Sequence, residues 1–206
     1  MTEIERSIER DTALLALMAA DPFPGWNLGG LRRVAGEHAD LLFLGGATEL
    51  IEASVDLADR RMEKSALELS MEDWRTGERV RAVIALRLQQ NRPFRVAIGR
   101  AIAVAAFPAH SPMAARATAR TVDAIWHAAG DRATDFSWYT KRATLGPIYV
   151  ATLACWLRDA SGDDEAALEF LDRRLAQVST MGKLRKRLFR RLCFGVQNGP
   201  PSLTMS

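Results

Sequence analysis

The sequence has few of the features on which secreted, membrane-spanning or redox proteins depend. Its two cysteines, Cys155 and Cys193, show no CxxC spacing, which predicts free thiols in a reducing compartment. The longest apolar run, residues 145–157, is thirteen residues long and contains Pro147, so it is too short to cross a bilayer. The acidic N-terminus lacks the apolar core of a signal peptide. We expect a cytoplasmic protein that contacts the inner membrane at most from its surface.

Sequence patterns that mark catalytic sites are missing as well. None of the three histidines, His38, His110 and His127, lies in an HxxxH, HExxH or ExxH pattern, so the spacing of a metal site is absent. The sequence contains no P-loop, no GxGxxG and no GxSxG turn. We interpret His127, near a predicted helix end, as structural. We therefore expect no catalytic residue, no metal and no cofactor, and hence a protein that is not an enzyme.

Charge is distributed unevenly along the chain. The net charge is +3, but residues 181–206 hold six Lys or Arg and no Asp or Glu. The preceding 180 residues hold 22 basic and 25 acidic side chains, a net of −3. Because a mildly acidic body is a poor general binder of polyanions, we expect no nucleic-acid partner.

Helix signals run through the whole chain, and no segment alternates with period two for long enough to predict a strand. Thr2 with Glu5 is typical of a capping box, Ser70 of a helix cap, and Ser111-Pro112 of a helix start. These signals predict an all-α bundle of about ten helices. The predicted helices are 2–20, 28–38, 48–69, 70–91, 94–107, 111–129, 135–158, 161–179 and 181–194, with a brief apolar turn at 40–46.

The first four helices, long, short, short and long, resemble the arrangement of TetR-type regulators, in which the third helix reads DNA. The corresponding segment here, 40–46, begins with Asp40 and has no Arg, Lys, Asn or Gln to reach base edges. We interpret residues 1–70 as a degenerate helix-turn-helix-like module that only packs. A helical domain over 71–180 follows. A DNA-binding regulator with a small-molecule pocket is the alternative.

The segment 181–194 predicts a basic amphipathic helix, followed by a disordered tail at 195–206. This pattern is typical of a helix at an anionic membrane surface, where each basic side chain contributes about 1 kcal/mol. The alternatives are an apolar face packed on the protein's own body, and contact with nucleic acid. The predicted membrane-binding residues are Leu184, Leu188, Phe189 and Leu192 on the apolar face and Lys183, Lys186, Arg187, Arg190 and Arg191 on the basic face.

The most specific string in the sequence is DFSWYTKR, residues 135–142, which follows Trp126-His127 and a tight turn at Gly130-Asp131. The segments LRDAS at 157–161 and FLDRR at 170–174 continue the pattern. On these residues the chain resembles the Coq-nine family of ubiquinone biosynthesis over about 94–182. The resemblance implies a TetR-like fold and a homodimer. It also implies an apolar cavity in 71–180 that holds an isoprenoid lipid or a quinone intermediate.

The resemblance further implies a partner: the di-iron hydroxylase that acts on demethoxyubiquinone. In family members an exposed patch that includes the Trp-Tyr pair docks this hydroxylase, and by position the patch maps to Asp135, Trp138 and Tyr139. Arg142 is added because it shares a helix face with Trp138 at i,i+4 and can stack on its ring. From the residues alone, a Trp138 that fills the core beside a half-exposed Tyr139 is the favoured alternative.

Two predicted helices supply the wall of a cavity. Residues 94–107 combine Ile98 and Ile102 with many alanines, and residues 145–157 are apolar nearly all round, with Pro147 expected to kink or locally open the helix. Small side chains opposite large ones leave room for an isoprenoid chain, but they equally allow close packing and a filled core. The predicted cavity residues are Leu86, Ile98, Ile102, Val122, Ile125, Ile148 and Leu153.

Together these expectations give one hypothesis, with two alternatives. The hypothesis is a membrane-peripheral, lipid-binding accessory protein of ubiquinone biosynthesis that presents a quinone intermediate to a partner hydroxylase. The alternatives are the TetR-type regulator and a structural adaptor with a filled core.

Overall fold

The computed structural model describes residues 4–131, 136–159 and 161–178, apart from the side chains of Asp40, Phe136 and Ser137. Within these ranges all regular structure is helical, so the prediction of an all-α fold is confirmed. The α-helices are α1 (Ile8–Ala19), α2 (Leu28–Ala35), α3 (Gly46–Ala66), α4 (Thr76–Asn91), α5 (Arg95–Ala105), α6 (Ser111–Ala128), α7 (Phe136–Arg158) and α8 (165–178). Short 3₁₀ helices lie at Glu37–Leu42, Arg92–Phe94 and Pro108–His110.

The described helices are fewer than the ten or so predicted. The last predicted helix, 181–194, and the tail lie outside the described residues. The N-terminal helix also begins later than predicted: α1 starts after Ser7, whose side chain accepts a hydrogen bond from the Arg10 backbone N–H at 3.1 Å. The expected Thr2–Glu5 capping box is therefore wrong, because a competing hydroxyl closer to the apolar pattern caps the helix.

Helix α4 likewise starts at a different residue from the one that the sequence indicates. It begins at Thr76, not directly after Ser70. The Glu78 carboxylate accepts a hydrogen bond from the Arg75 backbone N–H at 2.8 Å, which satisfies a donor that the first helical turn leaves unpaired. Helix α7, in contrast, runs through Pro147 without a break in its helical assignment, so the local opening expected there is not observed.

The helices bury two apolar clusters, and α3 contributes to both. One cluster joins α1, α2 and the first half of α3, including Leu50 and Leu57, to the start of α5. The other joins the end of α3, at Met62 and Ala66, to α4, α6, α7 and α8. Because a single helix runs from one cluster into the other, the two are held in a fixed relation. The predicted division at residue 70 stays a prediction.

The segment that corresponds to a DNA-reading helix is a 3₁₀ helix, Glu37–Leu42, fixed to the body by one buried arginine. Arg10 is 3% exposed, and its guanidinium lies 4.1 Å from the centre of the Phe43 ring. It also donates to the Leu42 carbonyl and, at 2.6 Å, to Glu49. A buried guanidinium with these partners holds the segment against α1 and α3.

Candidate functional site

A cavity of about 150 Å³ lies among α3, α4, α5, α6 and α7. Most of its wall is apolar and includes Met18, Trp26 and Ile51. Three of the predicted cavity residues, Ile98, Ile102 and Leu153, also line it. The periodic spacing of apolar residues on α5 and α7 is therefore what turns these side chains inward.

The other four predicted residues lie elsewhere. Val122 lines a groove between α6 and α7, and Leu86 lines a separate surface pocket on α4. Ile125 is fully buried in the second apolar cluster, and Ile148 packs against that cluster. Helical periodicity predicts which residues turn inward, but a side chain that turns inward meets either a neighbour or a void, and the sequence does not distinguish these outcomes.

A buried polar cluster closes one end of the cavity. Arg87 of α4 donates from Nε to the Tyr149 hydroxyl at 2.8 Å and from Nη1 to Asp59. The Thr121 hydroxyl donates to the other Asp59 oxygen at 3.1 Å. Arg87, Thr121 and Tyr149 line the cavity, whereas Asp59 lies behind them. The cluster is the charged end of an otherwise apolar chamber.

Burial controls the acid–base properties of this cluster. It raises the pKa of Asp59 to about 6, although the neighbouring Arg87 acts in the opposite direction. It also raises the pKa of Tyr149, so the phenol is neutral and keeps its proton. Near neutral pH the cavity therefore presents a guanidinium and a phenolic hydroxyl next to apolar walls.

A second, larger hollow is the groove between α6 and α7, with a volume of about 810 Å³. Six alanines line it, together with Gly146 and Pro147. At one end lie three of the four residues predicted for partner binding, Trp138, Tyr139 and Arg142. The fourth, Asp135, lies outside the described residues.

The aromatic and basic residues of this groove form a defined cluster. The Arg142 guanidinium lies 3.9 Å from the centre of the Trp138 ring, as the i,i+4 spacing predicts, and it donates from Nε to Asp123 at 2.7 Å. The Tyr139 ring meets Trp138 edge to face at 4.8 Å and is 67% exposed. Trp138 lies on the groove and is absent from both buried clusters, so the core-filling alternative does not describe it.

The cavity and the groove adjoin each other. Ala114 and Thr118, on the first turns of α6, line both. Both side chains are small, and both are partly exposed. The wall between the chamber and the groove is therefore only one short side chain thick at these positions.

Other chemistry has little support in the part of the chain that the structure describes. No group of three or more His, Cys, Asp or Glu in it is placed to hold a metal ion. The His127 imidazole is exposed and lies 3.1 Å from a Glu63 oxygen, which fits its interpretation as a structural residue. None of the described helices has the length and apolar character to cross a membrane. The predicted membrane-binding residues of 181–194 lie outside the described ranges.

Comparison with known proteins identifies the region that builds the groove. The family model described as COQ9 matches residues 111–182. Residues 111–182 are thus similar to the COQ9 family. The resemblance noted on the DFSWYTKR string is thereby confirmed. The COQ9 region supplies both walls of the groove and the α6 and α7 wall of the cavity, whereas α3, α4 and α5 precede it in the chain.

Individual relatives extend this likeness beyond the matched region. The chain is 29% identical over 193 residues to ubiquinone biosynthesis protein COQ9-A, mitochondrial, of Xenopus laevis, covering 87% of this chain and 60% of that protein. It is 32% identical over 127 residues to the Homo sapiens COQ9 protein, covering 61% of this chain and 40% of that protein. The chain thus spans at most 60% of the length of these two relatives.

A solved structure confirms the predicted TetR-like fold. The TetR transcriptional regulator of Nitrosomonas europaea ATCC 19718 superposes with a TM-score of 0.68 and 26% identity, over 84% of this chain and 99% of that one. The likeness extends to a protein titled as a transcriptional regulator, so this fold alone does not determine the function of the chain.

The polar end of the cavity was not predicted from the sequence, although a signal was present. Asp59, Arg87 and Asn91 occupy positions that the helical period of α3 and α4 assigns to the core, among Val83, Ile84 and Leu88. Charged or amide side chains at core positions require buried partners. Residues of this kind at core positions therefore indicate a buried polar cluster.

Proposed function

We propose that this protein is a non-enzymatic accessory factor of ubiquinone biosynthesis that holds an isoprenoid lipid or quinone intermediate and presents it to a partner hydroxylase. The observation that carries the proposal is the junction at Ala114 and Thr118, where an apolar chamber adjoins a groove with exposed aromatic residues. An apolar ligand in the chamber would have a short path to the α6–α7 groove, where a partner protein would bind. The names of the COQ9 relatives supply the pathway.

The partner is proposed to be the demethoxyubiquinone hydroxylase, and the docking patch to be Trp138, Tyr139, Arg142 and Asp135. An exposed tyrosine beside a tryptophan that is stacked on an arginine is the composition of an interaction hot spot. The groove next to the patch is lined by small side chains, which allow another protein to approach closely.

The proposal also includes a membrane and a second copy of the chain. The basic segment 181–194 would bring the protein to an anionic bilayer, and the family resemblance supports a homodimer. In a liposome flotation assay, a chain ending at Thr180 should bind less than the full chain; equal binding would remove the segment from the mechanism. A sedimentation mass near 22.8 kDa, that of one chain, would contradict the dimer.

The alternative function is that of a TetR-type regulator with a small-molecule pocket, which the Nitrosomonas europaea structure favours by its title. Against it stands the 3₁₀ helix Glu37–Leu42, which has no Arg or Lys and is held to the body through Arg10. A DNA-reading helix needs donors at its exposed face and a length that fits the major groove. A gel shift with the DNA upstream of its own gene, at low salt, should show no complex.

Solvent extraction of the purified protein tests the central claim. Mass spectrometry of the extract should recover an isoprenoid or quinone in amounts approaching one per chain. The variant that tests the chamber is Ala117→Trp, because residue 117 of α6 lines the chamber and the larger side chain would fill it. Ligand recovery should fall for this variant. Extracts free of lipid from both proteins would favour the structural adaptor with a filled core.

The docking patch is tested separately. Trp138→Ala should weaken association with the hydroxylase at least tenfold, a loss of the size found at interface hot spots. Its melting temperature should stay within about 2 °C of the parent, because Trp138 is in neither buried cluster. A large fall in melting temperature would instead give this residue a role in the fold. Val150→Ala, in the same groove but distant in the chain from the aromatic pair, is the matched control.

A further inference from the structure

The amide of Asn91, the last residue of α4, is a buried polar group that lacks a protein partner. Asn91 is 7% exposed and lines the cavity, yet its side chain makes no hydrogen bond to any of the residues that the structure describes. Its amide atoms are not among the fully enclosed polar atoms, so the cavity itself reaches them. A polar group that faces a cavity without a protein partner is available to a ligand in that cavity.

A second unused donor faces the same chamber. The Tyr149 hydroxyl accepts from Arg87 Nε at 2.8 Å, while its own proton has no acceptor within the described ranges. The bond from a guanidinium polarises the phenol and strengthens it as a donor. Tyr149 is 5% exposed, so solvent reaches its hydroxyl poorly. The chamber thus offers two donors, one amide and one phenol, to a molecule inside it.

The size of the chamber limits what these donors can meet. A volume of about 150 Å³ is that of cavities known to take a benzene molecule, and it is far too small for a long isoprenoid chain. The buried side chains Asn91, Arg87 and Tyr149 mark the inner end, whereas Ile102, 38% exposed, and the partly exposed Ala114 and Thr118 mark the mouth. A volume of this size can admit one ring at the inner end, whereas a long chain can lie only beyond the mouth.

We propose that Asn91 and Tyr149 hydrogen-bond the ring oxygens of a quinone or phenol at the inner end of the cavity, with the isoprenoid chain leaving past Ala114 and Thr118 into the α6–α7 groove. This inference rests on the proposed function and adds the orientation in which the ligand is held before it is passed to the hydroxylase, with its ring inside and its chain toward the groove. It makes the ring oxygens the group that the protein recognises, while the chain in the groove adds apolar contact.

Equilibrium dialysis of the full chain tests this orientation with three probes. Two carry the same fully substituted dimethoxy-methyl-benzoquinone ring, with one or two isoprene units. The third, farnesol, is a chain without a ring. Both quinones should bind more tightly than farnesol, and the second isoprene unit should add only the apolar contact that it makes in the groove. Asn91→Leu should weaken the two quinones roughly three- to tenfold, the effect of one neutral hydrogen bond, and leave farnesol unchanged.

Two further measurements separate recognition from folding. Gln89→Leu makes the same kind of change at an exposed position of α4 and should leave all three affinities unchanged. The melting temperature of Asn91→Leu should not fall, since no protein hydrogen bond is lost. Tyr149→Phe should also weaken the quinones selectively, although it removes the acceptor of Arg87 and lowers stability.

The outcomes distinguish this inference from the function on which it rests. If farnesol and the quinones bind equally, and Asn91→Leu changes none of the affinities, ring recognition is wrong while the lipid-holding function stands. A clear loss of stability in Asn91→Leu would likewise overturn the claim that the amide is reserved for a ligand. If no probe binds the parent protein at all, both proposals fail together.

Discussion

Two carboxylates on α3, one turn apart, belong to different regions of the molecule and behave in opposite ways. Asp56 faces the N-terminal region, where Arg6 and Arg60 hydrogen-bond it at 2.7 and 2.9 Å. Asp59 lies behind the cavity wall, where it is bound by Arg87 and Thr121, which line the cavity. The side chains of the two aspartates are equally exposed, at 9%. What differs is the depth of protein around each carboxylate, which is much greater at Asp59, and the solvation of the arginine partners.

The pKa values of the two groups follow from this difference. Burial alone would raise the pKa of Asp56, but the hydrogen bonds from Arg6 and Arg60 outweigh it and hold the pKa below its usual value. For Asp59 burial prevails over Arg87 and raises the pKa to about 6. Arg6 is 59% exposed and Arg60 31%, whereas Arg87 is 4% exposed. An ion pair whose arginine remains hydrated stabilises the charged carboxylate. In a fully buried pair both partners lose their hydration, and this loss disfavours the charged carboxylate.

The N-terminal region therefore uses its charges to hold helices together at the surface. In the cavity region the charged Asp59 and Arg87 are shielded from water. They lie next to the Asn91 amide and the Tyr149 phenol, whose hydrogen-bond donors have no protein acceptor among the described residues. A fold optimised for stability alone would replace the second arrangement with apolar side chains. Its retention in the wall of a chamber is what a binding site would require.

The largest effect is expected for Asp59→Ala. The substitution leaves the Arg87 guanidinium buried without its counter-charge, and removing one partner of a buried ion pair costs about 3–5 kcal/mol. Urea denaturation at pH 7 gives the change in the free energy of unfolding. The double variant Asp59→Leu with Arg87→Met, which removes both charges, should recover most of the loss. If the free energy of unfolding of Asp59→Ala lay within about 1 kcal/mol of that of the parent, water would have to reach the ion pair.

The helices and the fold class could be predicted from the sequence, because they depend on local signals. The 3.6-residue period and caps such as Asn27, which accepts from the Gly30 backbone N–H at 2.7 Å, mark the elements. The capping-box error at Thr2–Glu5 arose where two hydroxyl residues, Thr2 and Ser7, compete to cap the same helix. The aromatic patch was also predictable, since Trp138 and Arg142 lie at i,i+4 on one helix.

The polar end of the cavity could not be predicted from local signals. Asp59 and Arg87 are 28 residues apart, and Arg87 and Tyr149 are 62 apart, so only the packing of α3, α4 and α7 brings them together. Voids are also a property of packing: Ile125 and Leu153 both have inward positions, yet one meets the core and the other the chamber. The sequence shows which residues turn inward, and the tertiary structure decides what they meet.

A smaller effect is expected for Asp56→Ala, the same truncation one turn earlier on α3. Its loss leaves Arg6 in solvent and Arg60 still paired with Asp11 at 2.7 Å, so no charge is left buried and alone. The expected cost is about 1–2 kcal/mol, that of charge-assisted hydrogen bonds at a partly solvated site. Urea denaturation under the same conditions allows direct comparison with Asp59→Ala. Equal losses for the two variants would remove the distinction between the regions.

The smallest expected effect is a difference in pH dependence, which separates the two regions without breaking either. Asp59 has a folded pKa above its ordinary value of 3.8, so its contribution to stability is complete below about pH 4 and is lost as the pH rises through about 6. Asp56 has a folded pKa below 3.8, so its contribution is complete above about pH 4 and is lost as the pH falls further.

The isosteric variants Asp59→Asn and Asp56→Asn test these opposite pH dependences of stability. The free-energy difference between parent and Asp59→Asn should change between about pH 4 and pH 6, by less than about 1.4 kcal/mol per pH unit, the limit for one proton. The difference for Asp56→Asn should stay constant over that interval and change only below it. Thermal or urea unfolding from about pH 3 to pH 7 measures both, because this range covers the change for Asp59 and the onset of the change for Asp56. If both differences changed over the same interval, the two carboxylates would share one environment, and the cavity would have no electrostatic character of its own.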